Sequence, residues 1–163
     1  MDTLDTRNLQ ERLDELGDIR DEWNRVKEEL DEAERKLAEF EEEIKDKSDN
    51  EAEEFERELE ELTVCRNELE DELAKTEELD TDEEKELEEL EALQDEISGW
   101  RDGVCLIPEC DFTEYCQEML EDCGDIPKEI PHYIVIDWEA TADNIREDYS
   151  TIDYQGETYL WRE

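Results

Sequence analysis

The chain has 163 residues, enough for one ordinary domain or two small ones. Fifty-nine acidic and 17 basic residues give a formal net charge of −42, with 47% of residues charged and 35% apolar; an average soluble domain has about 25% and about 45–50%. A single large core is thereby excluded, as is direct binding to a nucleic-acid backbone or an anionic membrane, both of which require Lys and Arg.

No apolar run approaches the roughly 20 residues of a membrane span. The N-terminal MDTLDTRNLQ has neither a basic n-region nor an apolar h-region, so no secretory signal is expected. Five cysteines, an odd number, predict reduced thiols in a cytosolic setting. High charge with few aromatics also describes disordered chains, but the apolar residues of the first half are strictly periodic and the aromatics concentrate in the second.

Residues 1–101 contain no proline and only Gly17 and Gly99. Leu9, Leu16, Trp23, Leu30, Leu37 and Ile44 recur every seven residues, and Ile19, Val26, Ala33 and Phe40 form a second register offset by three. Such an a/d seam predicts a coiled coil. Lys45–Asn50 interrupts it, and Ser48 with Glu51 forms a capping-box signature for a new helix. The seam resumes at Phe55, Leu59, Leu62, Leu69 and Leu73; Arg66 occupies a seam position, where its long side chain is expected to snorkel to water. Thr81 and Glu84 repeat the capping box, and Leu87, Leu90, Leu93, Ile97 and Trp100 form a third stripe. The expectation is an antiparallel helical hairpin, helix 4–46 against helix 50–78, with a third helix over 82–99. A hairpin buries only one narrow seam, so a partner, or self-association as a homodimer, would complete it.

The expected domain boundary is Ser98–Gly103, separating an acidic coiled-coil region (1–101) from a small α/β domain (102–163). In the latter, Gly103–Pro108 reads as a short strand. Asp111 and Glu114 start a helix with Phe112, Tyr115, Cys116, Met119, Leu120 and Cys123 on its apolar face, stopped by Gly124. Residues 125–136 form a loop ending in apolar Tyr133–Ile136. Asp137 starts a second helix with Trp138, Ala142, Ile145 and Tyr149 on one face, and residues 151–161 alternate around Gln155–Gly156, a hairpin signal. The predicted fold class is thus mostly α, ending in a small domain of two helices and a C-terminal hairpin.

Catalytic groups are scarce. His132 is the one histidine and sits in a loop beside Pro131; a Cys–His nucleophile pair would need a cysteine beside it. No Gly-rich phosphate loop is present. Among Cys105, Cys110, Cys116 and Cys123 only Cys105-x4-Cys110 falls, at its edge, within the Cys-x2–4-Cys spacing of most zinc sites, and Cys116 and Cys123 lie on a helix face where cysteine packs as a small hydrophobe. Cys65 flanks the seam and would crosslink a dimer on oxidation. The acidic runs around residues 49–51 and 80–84 lack the sixth-position glycine of an EF-hand. No enzyme activity, metal or cofactor is expected.

The charge itself remains. Residues 1–101 carry 42 acidic and 14 basic residues, a net −28, and residues 102–163 carry 17 and 3, a net −14. A hairpin about 64 Å long with net −28 presents one charge per about 2.3 Å, against one per about 1.7 Å in B-DNA, and two packed helices are roughly as wide as a duplex. Self-repulsion at this level destabilises a fold, so solubility alone explains it poorly. A protein with a duplex-sized basic cleft would attract such a rod by long-range steering. The field is strongest on the second arm, where Glu77, Glu78, Asp80, Asp82, Glu83, Glu84, Glu86, Glu88 and Glu89 are candidate phosphate mimics. The competing reading is an adaptor or scaffold: charge runs usually form a solvated helix face, and acidic coiled coils commonly serve as linkers.

Residues 111–162 resemble the C-terminal domain of the ArdA antirestriction proteins. The matching pattern is an acidic helix ending in Glu121-Asp122-Cys123-Gly124, a Pro-containing loop, Ile136-Asp137-Trp138-Glu139-Ala140, then Ala142-Asp143 leading to Asp148-Tyr149, and a terminal hairpin around Gly156 closing on an aromatic and Arg162. That family comprises elongated acidic DNA mimics of phages and mobile elements that occupy the DNA-binding groove of type I restriction-modification enzymes. The resemblance implies that Asp137, Glu139, Asp143, Glu147 and Asp148 stand in for phosphates, that Glu114, Glu118, Glu121 and Asp122 extend the row, and that Trp138, Tyr149 and Trp161 are core. It implies as partner a host defence enzyme with a basic DNA-binding cleft. The family carries two further small domains before this one; here the heptad region takes their place.

Overall fold

A computed structural model describes residues 3–45, 52–127 and 131–162. It is mostly helical with one small antiparallel sheet. The α-helices are α1 (Thr6–Lys45), α2 (Ala52–Leu73), α3 (Thr81–Glu96), α4 (Phe112–Cys123) and α5 (Trp138–Arg146). The strands are β1 (Leu4–Asp5), β2 (Cys105–Pro108), β3 (Ser150–Tyr154) and β4 (Glu157–Trp161), in the order β1-β2-β4-β3. No described helix is long and apolar enough to cross a membrane.

The chain divides into two compact units, one of residues 1–15 with 82–163 and the other of residues 16–81. This differs from the expected division at 98–103, and the cause is local. Leu4 and Asp5, expected to begin the first helix, instead pair antiparallel with Leu106 and Cys105. Immediately after them Thr6, fully buried, donates its hydroxyl to the Trp100 carbonyl at 2.7 Å and accepts the Val104 amide at 2.8 Å. Its own amide donates to the Val104 carbonyl at 3.1 Å. Residues 4–6 are thus stitched to the segment around the expected boundary, at Trp100 and Val104.

In the first unit the sheet has two covered faces. Ile107 and Leu160, opposite each other on β2 and β4, pack with Phe112 and Cys116 of α4 and Ala142 of α5, and Tyr115, Ile145 and Tyr149 close the edge of this core. Strand alternation turns Ile152, Tyr154, Tyr159 and Trp161 to the other face; all four are buried. There Leu9 and Leu13 of α1 and Leu87, Leu90 and Leu93 of α3 are buried as well, with Ile97 and Trp100 beyond. The predicted stripe of α3 is therefore entirely core. Gln10 fixes this layer: its Oε1 accepts from Trp100 Nε1 at 2.5 Å and from Gln94 Nε2 at 2.8 Å.

The hairpin forms as expected, closed by the Tyr154–Glu157 pair. Gln155 (φ 49°) and Gly156 (φ 81°) both lie in the left-handed region, as a type I′ turn requires. Asp137 caps α5 by accepting the Ala140 amide at 3.1 Å. Asp111 precedes α4 but makes no side-chain cap; a 3-10 turn over Glu109–Asp111 leads into the helix instead, and the Phe112 amide bonds to the Glu109 carbonyl.

In the second unit the nine heptad residues of α1 from Leu16 to Ile44 are buried or half-buried, with Leu16 and Val26 fully so. Phe55, Leu59, Leu62, Leu69 and Leu73 of α2 are all half-buried. The Phe40 and Phe55 rings lie 5.9 Å apart, and Arg25 reaches Glu72 at 3.2 Å. Helix α2 stops at Leu73, earlier than residue 78: Lys75 and Thr76 turn back onto the Glu72 carbonyl, and the Thr76 hydroxyl takes the same acceptor. The Ser48–Glu51 capping box falls outside the described residues. Arg66 bonds to Asn67 Oδ1 through Nη2 while its Nε is buried without a partner.

Candidate functional site

The acidic side chains separate into those that hold the fold and those that face water. Arg12 of α1 gathers Glu15 at 2.8 Å, Glu86 at 3.0 Å and Glu83 at 3.7 Å. Glu86 is also within 3.5 Å of the Tyr154 hydroxyl and 3.4 Å of Gln155 Nε2. Glu89 accepts the Gln155 backbone amide at 3.2 Å. Three members of the α3 candidate set, Glu83, Glu86 and Glu89, therefore fasten α1 and the hairpin to α3. The cause is that the α3 turn carrying them faces the sheet, next to the buried Leu87 and Leu90. Glu86 and its neighbour Glu89 act on Tyr154 electrostatically: burial first, then the Glu86 carboxylate, push the phenol up to about 12.

The outward acids lie at helical spacing. Glu139, Asp143 and Glu147 occupy i, i+4 and i+8 along α5 and just past its end, and Glu114 and Glu118 occupy i and i+4 on α4; all five are exposed. Asp122, Asp137 and Asp148 are also exposed, while Glu121 is half-buried and accepts from Gln117 at 3.1 Å. Both helices pack on the same core, so the two rows belong to one layer. A four-residue step along a helix is about 6 Å. Asp82, Glu84 and Glu88 are exposed on α3 of the first unit; Glu77, Glu78 and Asp80 are exposed in the second.

No protein-family model, curated protein or solved structure matches the chain.

Around the acidic layer the other sequence candidates take their places. Trp161 is buried, with its Nε1 unpartnered, while Trp138 and Tyr149 are half-buried. Tyr149 stacks edge-on against Phe112 at 5.0 Å and lies under Arg162; burial and the neighbouring Tyr115 push its hydroxyl pKa well up. Cys116 is fully buried, and its thiol is pushed up by burial. Cys123, expected on the apolar face beside it, is exposed, as are Cys65, Cys105 and Cys110. Position 123 lies at the end of α4, past the stretch that the core covers. His132 is exposed, its ring 5.6 Å from Tyr133. Among the described residues no group of three or more His, Cys, Asp or Glu is placed to hold a metal ion.

Sequence reading missed Thr6, Gln10 and Arg12, which do most to lock the first unit together. Each sits in the first two turns of a long heptad helix, and nothing in the local pattern distinguishes them from solvated helix residues. The ion pair between Glu109 and Arg146 was missed for the same reason.

Proposed function

We propose that this protein is a DNA-mimic inhibitor that binds a host defence enzyme and occludes its DNA-binding surface, acting in the host cytoplasm without chemistry of its own. The observation that carries this reading is the pair of exposed carboxylate rows on α4 and α5, Glu114 with Glu118 and Glu139 with Asp143 and Glu147. Two rows with a charge every about 6 Å present one per about 3 Å, within a factor of two of the duplex density. Asp122, Asp137 and Asp148 extend them. The same residues are those aligned with phosphates by the resemblance to ArdA proteins, which supports a type I restriction-modification enzyme as the target. The net charge of −42 supports long-range steering toward such a cleft.

The N-terminal region fits the same role as an antiparallel coiled coil, with Phe40 against Phe55 and Arg25 against Glu72, and Glu77, Glu78 and Asp80 lie exposed in the segment that follows α2. Glu83, Glu86 and Glu89 act in the fold, and so contribute to the field more than to contact.

The test is inhibition of DNA cleavage by a type I restriction-modification enzyme. Replacing Glu114, Glu118, Glu139, Asp143 and Glu147 together by their amides leaves the core untouched and is expected to abolish inhibition. A second block, Asp82, Glu84 and Glu88, measures the share of α3. Full inhibition surviving both blocks overturns the reading.

A second reading is favoured by one observation. In the second unit Trp23, Leu30, Leu37 and Ile44 remain half-buried, as do the five seam residues of α2. A helix of another chain, or a second copy, seated there would bury them, as expected of an adaptor. Such a contact is apolar and insensitive to salt.

A further inference from the structure

The order β1-β2-β4-β3 leaves β3 at the edge of the sheet. Its pairing with β4 decides which of its backbone groups are free. Tyr154 and Glu157 close a two-residue hairpin, and in that geometry they exchange both hydrogen bonds, as do Ile152 with Tyr159 and Ser150 with Trp161. Thr151 and Asp153 fall between, so their N–H and C=O groups point away from β4. Beside this edge runs a groove of about 340 Å³ between β3 and α3. Its floor is Leu93 and Ile152, both buried, with Ala92 alongside. Its rim is Glu89, Glu96 and Asp153, all exposed, and no Lys or Arg lines it. The groove is held open at one end because the hairpin tip is tied to α3, through Gln155 N–H to Glu89 and Tyr154 to Glu86.

We propose that this groove binds an extended basic peptide segment of another protein by strand addition to β3. Main-chain hydrogen bonds to Thr151 and Asp153 supply the pairing. Alternate apolar side chains of the peptide rest on Ala92, Leu93 and Ile152, since successive residues of a strand face opposite ways. Lys or Arg at the intervening or flanking positions meet Glu89, Glu96 and Asp153. The charge selects the occupant. A second copy of this chain would bring the same three carboxylates to the junction, where like charges repel, and an acidic segment would fare the same. Strand addition here is separate from phosphate mimicry: it uses a different face of the first unit and stands if mimicry fails.

The probe is a capped, fluorescently labelled five-residue peptide alternating valine and lysine, compared with its valine–glutamate and all-lysine counterparts, on the full chain. The valine–lysine peptide is expected to bind and to shift the amide resonances of Thr151 and Asp153. Thr151→Pro removes one outward N–H without touching a bond to β4, and proline is tolerated on an edge strand; affinity should fall about tenfold, the worth of one hydrogen bond near the upper end of its range. Glu96→Lys, an exposed substitution, should weaken binding by a similar factor while circular dichroism stays unchanged. No binding, equal binding of the valine–glutamate or all-lysine peptide, or binding unaffected by both Thr151→Pro and Glu96→Lys overturns the proposal. So does a dimer of the free chain that Thr151→Pro dissociates, since that would make a second copy the occupant.

Discussion

The hydroxyl of Thr6 donates to the carbonyl of Trp100 across 2.7 Å, in a site with no solvent exposure. It joins residues 94 positions apart and accepts the Val104 amide at the same time. Thr6→Val keeps the shape and removes both bonds, leaving a buried carbonyl and a buried N–H unpaired. Each such group costs about 1–3 kcal/mol. Thermal or urea unfolding should show a loss of at least about 2 kcal/mol, whereas Thr3→Val, at an exposed position, should be near neutral. A loss below about 0.5 kcal/mol would show that the N-terminal stitch is not what unites residues 1–15 with the second half.

The hairpin turn gives a second test. A Cβ on Gly156 meets no atom within 4 Å, so Gly156→Ala is strained by its φ of 81° alone. The expected cost is about 1 kcal/mol. Gln155, also at positive φ, should gain stability on replacement by Gly or Asn. Chemical denaturation of the two variants should therefore move in opposite directions.

Stability at high pH follows from Tyr154. Its pKa is raised to about 12 by burial and the Glu86 carboxylate, against about 10 in an unfolded chain. The folded state therefore holds its proton longer, so this contribution is complete below pH 10 and is lost as pH rises from about 10 to 12. Tyr154→Phe should flatten that part of the stability–pH curve. An unchanged slope would count against the contact with Glu86.

Self-repulsion predicts a salt response. With a net charge of −42 and screening over about 10 Å at 0.1 M, the melting temperature should rise as sodium chloride goes from about 10 mM to about 0.5 M. A falling melting temperature would mean that the pairs of Arg12 and Arg25 outweigh the repulsion.

Much of the architecture is legible in residue patterns. Periodicity located three helices in the first half because Leu, Ile, Val and Phe at seven-residue spacing have no other use in so polar a chain. Local chemistry located the hairpin, since Gln155–Gly156 flanked by alternating residues suits one turn type, and located α5 through the Asp137 cap. The pairing of β1 with β2 was not legible, because β1 is two residues long and the pairing is non-local; Leu4 and Asp5 carry no strand signature of their own. For the candidate site, the helical spacing of Glu139, Asp143 and Glu147 is readable directly. That Glu83 and Glu86 turn toward Arg12 and the hairpin, and that Glu89 takes the Gln155 amide, is not, because it depends on groups arriving from distant parts of the chain.

The most direct measurement of the central claim is displacement of a labelled DNA duplex from a type I restriction-modification enzyme by this protein, followed by fluorescence anisotropy across a salt series. Mimicry predicts competitive displacement, with an affinity that falls steeply as ionic strength rises and collapses when the acids of α4 and α5 are neutralised. A protein that binds the enzyme while the duplex stays in place, or whose affinity is flat in salt, would contradict it.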